Sequence, residues 1–505
     1  MIRIFLFGLL SLLFVSPAHA AWHEASSDHF LIYGNQNPKT TQKFAERLER
    51  FHAAMAFAFG QDSIKPSPSN RVTIYVVRSK SKVRKLLDSD NRYVAGFYMP
   101  RAGSTIAIVP KLKSSSSKYQ LGSETILLHE YAHHFMHHMI DRSFPLWFSE
   151  GFAEFYASAK FEKDGSVKLG MPALHRVAEL NYSKRVPISM LVDTRRYLDQ
   201  KTKAHDAFYG RSWLLYHFLE FSDKRKGQLR DYQRLLATGE PELKAAKSAF
   251  GNLELLDKDL NKYMQRTTFS IYNISPEKLR FSSIRMRALR SGEAAIIPVM
   301  IQSKRGVNEE QAAELLQDAR SIAVEHPRDP AVLAALAEAE FDAGNNVEAI
   351  AAADRALAID PNSINAHIQK GYALARMAPD TEDEAAAWKQ MRRQFVKLNK
   401  IENDHPIPLI QFYRSYREQG IEPPTIAVDG LARALELAPY DNGLRWMMAN
   451  EFVLQEKYDW AAHTLEPLAY SPHQSDMTER ALALLKETEA KALEAKNDKE
   501  AAVGS

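Results

Sequence analysis

Residues 124–156 read ETILLHEYAHHFMHHMIDRSFPLWFSEGFAEFY, a short run that holds five histidines and four glutamates. His129, Glu130, Tyr131, Ala132 and His133 make an HExxH motif. On a helix, positions four apart share a face, so both imidazoles can reach one zinc ion while Glu130 projects beside them towards a bound water. Leu128, Ala132, Phe135 and Met139 supply the apolar stripe that buries the neighbouring side of such a helix. Chance produces the motif in about one of 25 chains of this length and composition, so it needs support from elsewhere in the stretch.

A catalytic zinc takes three protein ligands and a water. The metzincin arrangement would put a glycine at position 136 and a histidine at 139; Met136 and Met139 stand there instead. The inverted HxxEH order is absent too. PLWFSEGFAEFY offers Glu150 and Glu154, one turn apart on a second expected helix. Glu150 can complete a His, His, Glu set, and Glu154 can accept the free N–H of a ligating imidazole and fix its tautomer. Gly151 reads as the small residue that lets these two helices pack closely. Two inward-facing carboxylates beside two histidines make poor sense without a cation.

HEYAH followed by WFSEGFAE resembles the gluzincin peptidases of the thermolysin-like peptidase MA superfamily, in particular a small branch whose members often carry tetratricopeptide repeats. The resemblance spans roughly residues 21–290. It implies an α+β catalytic domain, a mixed sheet plus active-site helices, followed by an all-α repeat domain. It also implies one zinc ion per chain on His129, His133 and Glu150. Glu130 would be the general base that takes a proton from water and passes it to the leaving amine, and Glu154 the partner of a ligating imidazole. Tyr209, in DAFYGRSW, resembles the tyrosine that related families use as oxyanion donor; the other reading is a structural ring beside Trp213. STIAIVP, residues 104–110, would be the edge strand that binds substrate backbone. Sixteen residues separate His133 from Glu150, slightly fewer than in larger members, which bears on the loop MIDRSFP and on the shape of the cleft. His134, His137, His138, His205 and His217 are read as non-ligands, because Glu150 fills the third position better.

Outside this stretch, HFLIYG and RVTIYVV read as strands. Phe44, Leu48, Phe51, Met55 and Phe59 mark an amphipathic helix between them. YVAGFYM and STIAIVP flank a turn at Pro100–Gly103 and predict a hairpin, and KLKSSSSK after it reads as a polar loop. Residues 160–290 read as mainly helical, with GRSWLLYHFLEF and LELLDKDLNKYMQRT as two of the helices.

Past residue 305 the sequence turns rich in alanine, glutamate and leucine. Ala337, Ala349, Ala356 and Pro361 stand at steps of 12, 7 and 5, and Ser415, Ala427, Ala434 and Pro439 repeat those steps. Small residues at such steps let paired helices approach, and the proline ends each unit; the pattern resembles tetratricopeptide repeats. The last unit puts Trp460 and Pro467 where small residues are expected. The expected domains are a metallopeptidase domain at 21–290 (a sheet part to about 120, a helical part from 121), repeats at 305–495 and a flexible tail at 496–505.

The first twenty residues, MIRIFLFGLLSLLFVSPAHA, have Arg3, an apolar run from Ile4 to Val15, and Ala18 and Ala20 around His19. This is the layout of a secretory signal cleaved after Ala20; an uncleaved anchor is the alternative, although the run is short for a membrane span. Sixty-six Lys plus Arg against 62 Asp plus Glu leave a net charge of +4, too slight a bias for a nucleic-acid surface. There is no cysteine, so export here implies neither disulfides nor a lipid-anchored N-terminus. The periplasm of a Gram-negative bacterium, or secretion, fits best. The expected function is an exported zinc metallopeptidase acting on a peptide or protein substrate, whose repeats bind a protein partner or present that substrate. The alternatives are a periplasmic adaptor or chaperone with a structural or inactive zinc site, and a zinc hydrolase of some other bond.

Overall fold

Val72–Val77, VTIYVV, is apolar at every position but one, as suits a strand covered on both faces. In the computed structural model, which describes residues 22–61, 64–88, 96–111, 119, 121–139, 144–200, 206–471 and 475–503, this segment is the third strand of a six-stranded sheet. The strands are β1 (His23–Ser26), β2 (Phe30–Gly34), β3 (Val72–Val77), β4 (Phe97–Met99), β5 (Ile106–Pro110), β6 (Lys160–Phe161), β7 (Val167–Leu169), β8 (Tyr272–Ile274) and β9 (Arg285–Ala288). The large sheet has the order β4-β5-β3-β2-β1-β9; β2, β3 and β5 run parallel, and β4, β1 and β9 are antiparallel to their neighbours. A second sheet has the order β6-β7-β8.

This arrangement corrects two expectations. STIAIVP is not an edge strand: β5 is paired on both sides, and the edge next to it is β4. Nor is the sheet confined to residues before 120, because β9 pairs with β1 across most of the chain. The expected leader at 1–20, residues 112–118 of the expected polar loop, residues 140–143 and His205 lie outside the described residues.

Alternation of side chains gives the sheet two buried faces. Ile32, Ile74, Val76, Ala107 and Val109 face one core, shared with α1 (Pro38–Ala58), α3 (Ser123–Met139) and α4 (Leu146–Ala157). Tyr75, Val77, Ile106 and Ile108 face the other, beside α2 (Lys80–Leu87). The helix α1 starts on Pro38 at its first turn, with the Asn37 side chain accepting from the Lys39 N–H. Next come α5 (Val177–Tyr182), α6 (Ile188–Leu191), α7 (Thr194–Gln200), α8 (Phe208–Phe221), α9 (Gln228–Ala237), α10 (Glu242–Phe250) and α11 (Leu253–Met264). His217 on α8 is a core residue: its Nε2 lies 3.0 and 3.1 Å from the carbonyls of Gly170 and Ser270, and its Nδ1 2.9 Å from the Tyr263 hydroxyl.

The helix α12 (Ser291–Arg305) belongs to two cores at once. Ile297 and Ile301 pack against the sheet, while Ile296 and Val299 pack into the first repeat helices. Those helices are α13 (Glu309–Glu325), α14 (Pro330–Asp342), α15 (Asn346–Ile359), α16 (Ile364–Met377) and α17 (Glu384–Ile401). The array ends with α18 (Pro406–Arg417), α19 (Thr425–Leu437), α20 (Asn442–Leu454), α21 (Tyr458–Ala469) and α22 (Asp476–Val503). Ala337, Ala349, Ala356, Ser415, Ala427 and Ala434 are all wholly buried, as close helix pairing requires. In the last unit the register shifts by one: Ala449 and Ala461 are buried, Trp460 is exposed, and Pro467 lies within α21. The final helix also continues to Val503, where a tail was expected from 496. No helix of the described residues is long and apolar enough to cross a membrane.

The array touches the sheet again near its middle. The Glu402 carboxylate accepts from the Ser69 N–H and hydroxyl, both at 2.8 Å, and Asp441 accepts from the Ala102 N–H at 2.7 Å. Gly103, at φ +65°, sits against His405, whose Cε1 would be 2.6 Å from a Cβ at that position.

Two predictions follow from this packing. Gly103→Ala should cost about 1–3 kcal/mol, from the positive φ and the collision with His405. Gly60→Ala, with the same φ of +65° and nothing within 4 Å, isolates the backbone part. Calorimetric midpoints should fall further for Gly103→Ala; equal losses would mean that His405 gives way. Secondly, burial holds the His217 imidazole down to about 4, against the opposing pull of its carbonyl partners. Between pH 6.5 and 4 the unfolded chain therefore binds a proton there that the native chain does not. Stability contributed by this group is present above pH 6.5 and is lost, by about 3 kcal/mol, as pH falls through that window. His217→Gln should flatten the acid limb of a Tm-against-pH profile, and an unchanged limb would contradict this.

Candidate metal centre

The site is made where α3 crosses α4. Leu127, Leu128, Tyr131, Ala132 and Phe135 anchor α3 in the core, and this fixes the rotation that turns Glu130 and His133 towards the cavity and His129 towards Glu150 and Glu154. Tyr131 adds a polar anchor, its hydroxyl 2.7 Å from His52 Nδ1 on α1. On α4, Gly151 does not serve the contact with α3 as expected. A Cβ there would lie 2.5 Å from the Ser212 carbonyl, so the glycine admits α8 on the opposite side.

Glu150 and Glu154 are each 1% exposed. His129 Nε2 lies 3.3 Å from Glu150 Oε2, His133 Nε2 3.6 Å from Glu150 Oε1, and the two Nε2 atoms are 3.2 Å apart. Each imidazole is held from behind: His129 Nδ1 is 3.2 Å from Glu154 Oε1, and His133 Nδ1 is 3.2 Å from the Ser149 hydroxyl. With both Nδ1 atoms engaged, both Nε2 atoms face Glu150.

These spacings match what a divalent cation requires. Two ligand atoms about 2.1 Å from a tetrahedral ion stand about 3.4 Å apart. One ligand atom from each of His129, His133 and Glu150 falls within 4.8 Å of the others, the one such group among the described residues. Glu150 Oε2 is buried, and His129 Nε2, 3.3 Å away, does not meet it in good hydrogen-bond geometry. The charges agree with the geometry: although burial opposes it, the neighbouring imidazoles hold the Glu150 carboxyl well below its ordinary range. The His129 imidazole, buried but flanked by Glu150 and Glu154, is raised to about 10. A cation at this point would take over the role that a proton on His129 plays in its absence.

Behind the three residues lies a support that the sequence did not reveal. Glu154 Oε2 is 2.7 Å from His175 Nε2, and Glu154 Oε1 accepts from the Arg176 guanidinium. Arg176 in turn covers the Tyr209 ring at 4.7 Å and binds Glu179. Tyr209 thus sits by the site under Arg176, and none of the ring contacts of Trp213 is to Tyr209. Burial and then the Glu150 charge push its phenol well above the ordinary value, so it stays protonated. Ser149, His175 and Arg176 belong to no spacing pattern; only Ser149, next to Glu150, stood where a reader would look.

Glu130 and His133 open onto a cavity of about 960 Å³. Of the histidines set aside as ligands, His134 is buried between Tyr131 and Tyr440, and His137 lines the cavity.

Two family models match the chain. One, described as a protein of unknown function (DUF1570), covers residues 124–242 and so contains His129, Glu130, His133, Ser149, Glu150, Glu154, His175, Arg176 and Tyr209. The other, a tetratricopeptide repeat, covers residues 330–377, which are α14 to α16. The chain therefore carries tetratricopeptide repeats in its C-terminal part. Among solved structures, a thermophilic TPR protein from Thermus thermophilus is 18% identical, with a TM-score of 0.31, over 35% of this chain and 91% of that one. MamA from Desulfovibrio magneticus is 15% identical, with a TM-score of 0.27, over 40% of this chain and 98% of that one. No curated protein matches the sequence.

The support behind the site is testable. Removing a partner of this kind lowers metal affinity by about 10–100-fold. Arg176→Ala, which strips the cation from Glu154, should weaken zinc binding by that amount in competition with a chromogenic chelator, and Arg176→Lys should recover part of it. Affinity within twofold of the parent would show that the Arg176–Glu154 pair does not support the site.

Proposed function

We propose that the protein is an exported, zinc-dependent metallopeptidase, with zinc held by His129, His133 and Glu150. The observation that supports this reading is the meeting of two imidazole nitrogens, 3.2 Å apart, with the Glu150 carboxylate, whose oxygens lie 3.3 and 3.6 Å from one nitrogen each, beside a fourth residue, Glu130, that opens onto a cavity. A zinc ion bound there supplies a Lewis acid and makes water acidic enough to act as a nucleophile near neutral pH.

The chain's own groups do the rest. Glu130 accepts the proton of the attacking water and delivers it to the amine nitrogen that leaves. His129 and His133 keep their Nε2 atoms aimed inward because Glu154 and Ser149 hold the other side of each ring. Tyr209, kept protonated and braced by Arg176, is a neutral O–H donor for negative charge that develops on the substrate oxygen. A carboxylate at Glu130 that lines the cavity favours hydrolysis over a purely structural metal, which has no need of one at that position.

Tetratricopeptide repeats suit interaction with another protein, and the match over residues 330–377 supports such a role beside or in place of catalysis. In the second reading the repeats bind a partner and the metal is structural. The leader at 1–20 would place either activity in the periplasm or outside the cell.

A pair of variants separates the readings. Glu130→Gln should retain about one zinc per chain and lose peptide hydrolysis by at least about 100-fold, the usual worth of a positioned acid–base group. Glu150→Ala should lose most of the zinc. Full activity of Glu130→Gln in restoring a deletion strain would transfer the function to the repeats.

A further inference from the structure

The repeat array meets the helix of the HExxH motif through an aromatic ring. Tyr440, in the turn between α19 and α20, is 5% exposed and packs in one core of the array with Ala438, Leu444 and Met448. Its ring lies 4.3 Å from the His134 imidazole and 5.3 Å from that of His138, both on α3. His134 is the residue next to the ligand position His133, and it is buried as well. Tyr131 stacks with the same imidazole at 5.7 Å, and Tyr98 of β4 meets it edge-on at 6.3 Å. Rings from the array, from the sheet and from α3 itself thus close on one point of the helix.

The turn that carries Tyr440 is tied to the sheet. Its neighbour Asp441 caps α20, Oδ1 accepting from the Leu444 N–H at 2.9 Å, while Oδ2 accepts from the Ala102 N–H at 2.7 Å. Ala102 lies between β4 and β5, is buried, and belongs to the same core of the array as Tyr440. The backbone beneath the Tyr440 ring is therefore fixed with respect to the sheet.

The rotation of α3 about its own axis decides whether the ligand atoms meet. Side-chain tips lie about 5–6 Å from a helix axis, so a rotation of about 10° carries them about 1 Å. His129 Nε2 and His133 Nε2 stand 3.3 and 3.6 Å from the oxygens of Glu150, which is on the other helix, α4. A rotation of that size changes both spacings together. It also moves Glu130, and a misplacement of about 1 Å is enough to cost about 100-fold in rate. Leu128, Ala132 and Phe135 hold α3 from the core, and Tyr440 meets it from the array.

Resting on the metal and hydrolase reading, we propose that Tyr440 is a positioning residue for the site. Through this ring the array holds α3 in the rotation that brings His129, Glu130 and His133 to Glu150. The repeats are then part of the machinery that keeps the metal site in shape, and a loss of the Tyr440 contact reaches the metal without any contact between Tyr440 and the ion.

The test uses the full chain and zinc, with affinity read by competition with a chromogenic chelator, hydrolysis as kcat and KM, and folding as the calorimetric midpoint. Tyr440→Ala should weaken zinc binding by about tenfold and lower kcat by at least about tenfold with KM little changed. Tyr440→Phe, which keeps the ring, should restore both. Tyr440→Leu, which keeps apolar volume without a ring, should show the same losses as alanine and serves where alanine unfolds the chain. Glu402→Ala breaks a different contact of the array with the sheet, at Ser69. It should lower the midpoint and leave zinc affinity within about twofold of the parent. Parental affinity in both Tyr440→Ala and Tyr440→Leu overturns the inference while the metal reading stands. Loss of affinity in Glu402→Ala in the same proportion to its midpoint overturns it too, since the ring would then only stabilise the fold. A parent chain that binds no zinc removes the metal reading and the inference with it.

Discussion

A carboxylate that is 1% exposed, Glu150, stands between two imidazole nitrogens at the crossing of α3 and α4. Burying an ionised carboxylate costs several kcal/mol unless charge and hydrogen bonds offset it. The crossing meets that demand in layers. The imidazoles face Glu150, Ser149 and Glu154 hold the imidazoles, and His175 and Arg176 hold Glu154. Each layer restricts the rotation of the one inside it, which is how side chains on two helices can hold spacings of 3.2 to 3.6 Å.

The second constraint is the mounting of the repeats. Alternate residues of α12 belong to two cores, so the array and the sheet are joined through packed side chains in addition to a covalent link. Later contacts at Glu402, His405 and Asp441 seat the middle of the array on the loops of the sheet. The consequence is that residues near 440 to 470 are part of the cavity wall. The repeats and the residues Glu130 and His133 therefore border one space.

The grouping of His129, His133, Glu150 and Glu154 was legible because its signal is local: the i, i+4 spacing within each pair survives without any knowledge of the tertiary fold. The buried small residues of the repeats were legible for the same reason. What the sequence hid depends on distant pairing. The hairpin of β4 with β5 was legible from the turn at Pro100–Gly103, but nothing in STIAIVP says that β3 will pair with its other side, nothing in Arg285–Ala288 says that it will extend the sheet beside β1, and strands of two to four residues show too little alternation to read. Gly151 was assigned the wrong partner because a glycine records that a helix approaches, not which one. His175 and Arg176 were missed since a supporting residue needs only to arrive in space, from any point in the chain.

X-ray absorption at the zinc edge on the purified full chain addresses the central claim most directly. Convergence of His129, His133 and Glu150 predicts a stoichiometric ion with two imidazole nitrogens and carboxylate or water oxygens at about 2.0–2.2 Å. Loss of one oxygen shell in Glu150→Ala, or of the bound ion altogether, belongs to the same expectation. A spectrum with a single imidazole, or one unchanged by Glu150→Ala, would contradict it.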